Sequence, residues 1–278
     1  MIKSILLSVD GSTYTDAQVK YCIQLAKAFK CKIKVLSIVD IRIFEWAAVM
    51  GTDGFVPMLP SNIYKEESQK ILEAKADAVL DKCSSILKQE GIQFDVEKIS
   101  GPPVDIICEK SRLVDLLLMG ARGEFAKWKS RVVGATLDAV VRQWNKPILI
   151  TPEKFTKVSK VLFAYDGSDR ANKALQLAGL FGTELKVPLV ILTVHDKKAI
   201  RKKFLEEAKI YLEPYEIPVE LLGVSGHPEQ EILNVADEHQ CDLIIMGAFG
   251  HSRIRETILG STTEHILKNK IIPVLLSK

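Results

Sequence analysis

The chain has 278 residues, 47% of them hydrophobic and 26% charged, a length that fits two ordinary domains and a balance that fits a soluble protein with sizeable cores. No stretch approaches the roughly 18 unbroken apolar residues of a membrane span, and 38 Lys and Arg against 35 Asp and Glu, a net charge of +3, give no electrostatic case for nucleic acid or an anionic membrane as partner. Five cysteines without a C-x-x-C pair argue against a disulfide framework or a zinc knuckle and make the cytoplasm the expected compartment.

From the N-terminus, "ILLSVDGS" (Ile5 to Ser12) reads as a strand ending at Asp10, followed by an amphipathic helical stretch. The short apolar start is too brief for a signal peptide. "IKVLSIVD" (Ile33 to Asp40) is a second strand. The segment Ile41 to Tyr64 then carries Phe44, Trp46, Val49, Met50, Phe55 and Met58. A connection of this length is usually functional, and its apolar content suits a pad against the other half or a lid over a pocket, the pad being favoured. Next come "VEKISGPP", a helical run, the strand "DLLLMGARG" and the helix-strand stretch "GATLDAVVRQWNKPILI".

The same order then repeats. "VLFAYDGS" (Val161 to Ser168) answers the first strand and "LVILTVHD" (Leu189 to Asp196) the second. "VELLGVSGHP", "DLIIMGAFG" and "GSTTEHILKNKIIPVLL" answer the rest, with 13 positions from glycine to proline in both copies. A duplication accounts for this, giving domains 1–152 and 157–278 joined by the linker "TPEKFTK". Each half reads as β-α-β-α-β-α-β-α-β. Strands that are apolar at successive positions are covered on both faces, which predicts a parallel α/β sheet flanked by helices. Ligands of such sheets bind beyond the carboxyl ends of the strands, where the order reverses. In the second half that crevice would lie between Asp166 and the loop from Met246 to Gly250.

The loop has the pattern Gly247, two residues, Gly250, nine residues, Gly260-Ser261. Glycines let backbone approach a ligand that a Cβ would exclude. The helix after Gly260 offers unpaired amides and a dipole that favour an anion. Ser261 adds a hydroxyl, Arg253 and Arg255 add charge, and Asp166 suits a ribose hydroxyl, an adenine amine or a metal on the phosphates. "STTE" (Ser261 to Glu264) is equally a capping box with Ser261 as N-cap. The pattern is neither the Walker A loop nor the Rossmann glycine fingerprint.

Together these elements resemble the universal stress proteins in tandem form, over both halves of the chain. The most specific element is G-2x-G-9x-G-[ST], carried by Gly247, Gly250, Gly260 and Ser261. The resemblance implies two tandem open parallel five-stranded sheets of strand order 3-2-1-4-5, adenine-nucleotide α-hydrolase-like. It further implies that the last strands, "PILIT" and "PVLLS", join the halves as an internal pseudo-dimer, with a homodimer of the chain also open. It implies ATP or another adenine nucleotide as ligand, with or without Mg. The implied site comprises Ala164, Tyr165, Asp166, Val194, Met246, Gly247, Gly250, Arg253, Gly260, Ser261, Thr262 and Thr263, with the backbone of Val194, preceded by Thr193, meeting adenine.

The first half departs from the pattern. Ten residues separate Gly123 from Gly134, and Ala135 stands in place of the serine. Thr136, Lys127, Lys129 and Arg131 remain as partial replacements, and Trp128 is added. The expectation is therefore one competent site, in the second half. The function expected is that of a nucleotide-binding stress-response regulator with at most slow hydrolysis, the alternative being a ligand-free interaction module of the same fold. The five histidines, all in the second half, lack zinc-protease spacing and read as exposed or capping residues. No nucleophile elbow or catalytic triad is evident.

Overall fold

The computed structural model describes residues 1–40, 62–123, 134–248, 260–269 and 272–278, with backbone alone for 62–65. Most of the segment from Ile41 to Tyr64 therefore lies outside the described residues, apart from the start of the helix that follows it. Gly250, Arg253, Arg255, Lys127, Trp128, Lys129 and Arg131 lie outside them too.

The first half runs β1 (Ser4–Val9), α1 (Thr15–Phe29), β2 (Lys32–Val39), α2 (Asn62–Gln89), β3 (Phe94–Ser100), α3 (Pro103–Ser111), β4 (Leu116–Gly120), α4 (Ala135–Gln143) and β5 (Ile148–Thr151). The second runs β6 (Val161–Ala164), α5 (Asp169–Leu185), β7 (Leu189–Val194), α6 (Lys198–Leu212), β8 (Val219–Val224), α7 (Pro228–Glu238), β9 (Leu243–Gly247), α8 (Ser261–Asn269) and β10 (Val274–Ser277). Each half is parallel within itself, with order 3-2-1-4-5. The two sheets are not separate. They continue into one ten-stranded sheet, β3-β2-β1-β4-β5-β10-β9-β6-β7-β8, through an antiparallel β5–β10 junction.

Strand alternation sorts the core into two layers. Ile5 and Leu7 of β1 and Val161 and Phe163 of β6 pack on the face covered by α1, α2, α5 and α6. Leu6 and Leu162, between them, pack on the face of α3, α4, α7 and α8. All these side chains are at most 2% exposed, as expected of strands covered on both sides. The outermost strand β3 instead carries charge, with Asp95 paired to Lys32 at 2.6 Å and Lys98 to Asp77 at 2.7 Å. Charges of this kind protect an open sheet edge, whereas β5 and β10 are wholly buried because each covers the other.

The linker packs tightly. The Phe155 ring meets Tyr21 edge-on at 4.8 Å. Tyr21 Oη accepts from the Thr156 N–H at 3.1 Å. Gln24 donates to the Val158 carbonyl and accepts from the Val158 N–H. Phe29 of α1 and Phe181 of α5 meet at 5.1 Å across the halves.

Candidate functional site

The turn after β6 is built by the tripeptide Asp166-Gly167-Ser168. Asp166 Oδ1 accepts from the Ser168 N–H at 3.0 Å, and Ser168 Oγ accepts from the Ala171 N–H at 3.2 Å, capping α5. Gly167 sits at φ +73°, and a Cβ there would lie 2.5 Å from the Phe204 ring, so glycine is required both for the backbone and for the space. Asp10-Gly11-Ser12 repeats the turn, with Asp10 Oδ1 accepting from Ser12 N–H at 3.0 Å and Gly11 at φ +74°.

Ala164, Val194 and Met246 stand at the carboxyl ends of β6, β7 and β9, and Ala164 pairs with Met246 across neighbouring strands. All three pack toward the layer that holds α8. Tyr165 turns the other way. Its ring is buried beside Phe163 and Phe204, and its hydroxyl donates to Asn172 Oδ1 at 2.6 Å. Burial pushes the Tyr165 phenol above its ordinary value, helped by the nearby carboxylates of Glu207 and Asp166. Its backbone stays at the crevice, with the carbonyl accepting from the buried Thr193 hydroxyl at 3.0 Å.

Gly247 closes β9 against the first turn of α5. A Cβ there would come within 3.1 Å of Arg170 Cβ and 3.2 Å of the Ala171 nitrogen. Arg170 is thus a cationic residue beside the motif that the glycine pattern does not name; the clue was its position four residues after Asp166.

Gly260 precedes α8 and its carbonyl accepts the first helical hydrogen bond, from Glu264 N–H at 2.9 Å. Gly260 therefore takes the cap position, and Ser261, exposed, is the first helical residue rather than the N-cap of a capping box. Thr262 is half-buried. Thr263 is fully buried, and its hydroxyl donates to the Ala248 carbonyl at 3.2 Å, which ties the start of α8 to the end of β9.

The first half treats the same positions differently. Ala121, the counterpart of Ala248, accepts from the Gly134 backbone N–H at 3.0 Å, and a buried Leu137 stands where Thr263 does. One of the amides that open α4 is thereby engaged within the chain. Gly123 lies so close to Asp10 that a Cβ there would be 2.5 Å from Asp10 Oδ2. The Gly123 backbone thus lies against the Asp10 carboxylate, and Asp10 stays half-buried.

Two of the histidines, both half-buried, make local polar contacts. His195 Nδ1 accepts from Lys197 N–H at 3.0 Å near the start of α6, and His239 lies 3.3 Å from Glu220. No cluster of three or more potential metal ligands occurs among the described residues, and no helix among them is long and apolar enough to cross a membrane.

The sequence profile of the Universal stress protein family matches residues 1–152 and again 157–278. The chain belongs to the universal stress protein family, in its tandem form. It is 34% identical over 286 residues to universal stress protein Slr1230 of Synechocystis, covering 99% of both chains. It is 30% identical over 152 residues to the family member MJ0577 of Methanocaldococcus jannaschii, covering 43% of this chain and 94% of that one. The crystal structure of a universal stress protein from Archaeoglobus fulgidus superimposes with a TM-score of 0.76 and 25% identity, over 99% of this chain and 96% of that one. The expected fold and the joined halves thus stand together with the family membership.

Proposed function

We propose that this protein is an adenine-nucleotide-binding regulator of the stress response, holding one nucleotide, ATP by preference, in its second half. The observation that carries the reading is the difference between the starts of the two helices that follow the motifs. In the second half Thr263 occupies the Ala248 carbonyl, and Ser261 opens α8 with an exposed hydroxyl. In the first, the Gly134 amide is engaged by Ala121 and serine is replaced by Ala135.

The donor set suits a nucleotide. Backbone amides at a helix start and the hydroxyls of Ser261 and Thr262 fit phosphate oxygens. Ala164, Val194 and Met246 supply an apolar floor for a base, and the Val194 main chain an edge contact. The Asp166 carboxylate suits the ribose, an adenine amine or a Mg ion on the phosphates. Gly250 and Arg253 complete the proposed set from the motif. Hydrolysis, where it occurs, is slow, below about 1 s⁻¹ and so at the foot of the ordinary enzymatic range.

The test is direct. Purified protein is acid-extracted and its nucleotides separated by chromatography, and its melting is followed with and without ATP. Co-purified adenine nucleotide or a rise in Tm with ATP supports the reading. Neither one appearing sinks it and leaves the ligand-free interaction module.

A further inference from the structure

Four buried side-chain oxygen or nitrogen atoms among the described residues find no hydrogen-bond partner in the protein, and three of them lie at the start of α1: Ser12 Oγ, Thr15 Oγ1 and Gln18 Oε1. They recur at every third position, so they follow one side of the helix and of the turn that leads into it. Thr15 is 5% exposed and Gln18 3%. A buried polar atom without a partner is costly, and folded proteins leave few of them. Three within about two helical turns point to a bound partner that is not protein.

The second half solves the same place differently. Ser168, Ala171 and Ala174 take the equivalent positions. Ser168 Oγ accepts from the Ala171 N–H at 3.2 Å, and the two alanines are buried at 2% and 0% exposure. In the first half the Thr15 N–H goes instead to the Ser12 carbonyl at 3.0 Å, which leaves the Ser12 hydroxyl over. Turning the Gln18 amide about does not satisfy its oxygen. Its Nε2 donates to the Ser8 carbonyl of β1 at 3.0 Å, and the exchange would set one carbonyl against another.

The three atoms select the chemistry of their partner. Each hydroxyl has a proton to give as well as lone pairs, whereas the glutamine oxygen only accepts. A cation would leave both hydroxyl protons without an acceptor, and an anion would face the Gln18 oxygen. Water both donates and accepts. Side chains three apart on a helix stand about 5–6 Å apart at Cβ, and two hydrogen bonds through one shared water oxygen span about 4.5–5.5 Å.

We propose that the start of α1 is a buried hydration site, in which one internal water bridges Ser12 to Thr15 and a second bridges Thr15 to Gln18. Ser12 Oγ donates to the first water, which donates to Thr15 Oγ1. Thr15 Oγ1 donates to the second, which donates to Gln18 Oε1. The chain ends at the Ser8 carbonyl through the Gln18 amide, so the turn that carries Asp10 is tied to β1 through water. In the second half the direct Ser168 cap serves instead. The inference does not depend on nucleotide binding.

The test is a crystal structure of the intact protein at a resolution that shows ordered water, with magnetic relaxation dispersion of the water signal to count long-lived internal waters in solution. Density is expected on both sides of Thr15 Oγ1, within about 2.6–3.2 Å of it and of Ser12 Oγ or Gln18 Oε1. Thr15→Val, close in shape but without the hydroxyl, should lose about two long-lived waters, and Thr15→Ser should keep them. Should Thr15→Val fail to fold, the wild-type density decides alone. Density missing on either side of Thr15, with its hydroxyl or the Gln18 oxygen bonded directly to protein, overturns the proposal. So does a dispersion amplitude that a folded Thr15→Val leaves unchanged. An anomalous signal at this place in crystals grown with thallium(I) overturns it in favour of a monovalent cation.

Discussion

Leu149 of β5 and Leu275 of β10 are paired across the antiparallel junction, and they are equivalent residues of the two halves. The flanking pairs, Ile148 with Leu276 and Ile150 with Val274, exchange with one another when the halves are swapped. The local twofold axis therefore passes through the leucine pair. Both side chains are nearly inaccessible, at 2% and 0% exposure, so the duplication is sealed by apolar packing as well as by the backbone ladder.

This pairing should make the halves unfold together. Urea denaturation of the wild type, followed by circular dichroism and by tryptophan fluorescence, is expected to give one coincident transition. Leu275→Ala should lower stability by about 2–5 kcal/mol, the usual range for a buried leucine truncation. Separate transitions for the two probes in the wild type would show that the junction does not couple the halves.

The Asp-Gly-Ser turn gives a sharper structural test. Gly167→Ala should destabilise by about 1–3 kcal/mol through the left-handed backbone and the approach to Phe204. Part of that loss is steric, so the same change in a Phe204→Ala background should be milder. A double-mutant cycle of denaturation midpoints measures the coupling; strict additivity would place the whole effect in the backbone.

The buried thiols predict a dependence on alkaline pH. Burial pushes Cys31 and Cys83 up to about 11 and raises Cys22 well above its ordinary value of 9.0. A thiol whose folded value is raised contributes stability that is fully present below the unfolded value. It is lost as pH rises through the folded one. The urea midpoint should therefore fall between about pH 9 and 11 through these groups, and Cys22→Ala, Cys31→Ala and Cys83→Ala combined should flatten that fall. At pH 8 these three thiols should react with a thiol reagent only after unfolding.

Much of this architecture was legible in the sequence because duplication doubles each signal. "VLFAYDGS" read alone is a short apolar run, but beside "ILLSVDGS" it fixes a strand, its end and the following turn. The joining of β5 to β10 followed from the resemblance to a family and not from periodicity, since a buried edge and a central strand have the same apolar pattern. At the site, the capping box assigned Ser261 to the N-cap because S-T-T-E is compatible with two registers one residue apart. The structure gives the cap to Gly260. Thr263 stands with Ser261 and Thr262 in the expected set because spacing alone does not show which hydroxyl turns inward to a carbonyl, as Thr263 does to Ala248. The approach of Arg170 to Gly247 arises from the packing of α5 on β9, which the position of Arg170 four residues after Asp166 hints at but does not fix.

Thr263 links the fold to the proposed site. Thr263→Val removes the hydrogen bond to Ala248 with little change of shape and should reduce stability by about 0.5–1.5 kcal/mol. If the tie holds α8 in place for an anion, ATP affinity should fall several-fold while Thr262→Val acts on affinity without this stability effect. Calorimetric titration beside thermal melting separates the two.

The central claim is one nucleotide per chain, held in the second half. Isothermal titration with ATP on the wild type, Gly260→Val and Gly134→Val measures it most directly. The expected result is a stoichiometry of about one, the single-site case of ligand linkage, abolished by Gly260→Val and kept by Gly134→Val. Two equivalents per chain, or binding that survives Gly260→Val and disappears with Gly134→Val, would contradict it.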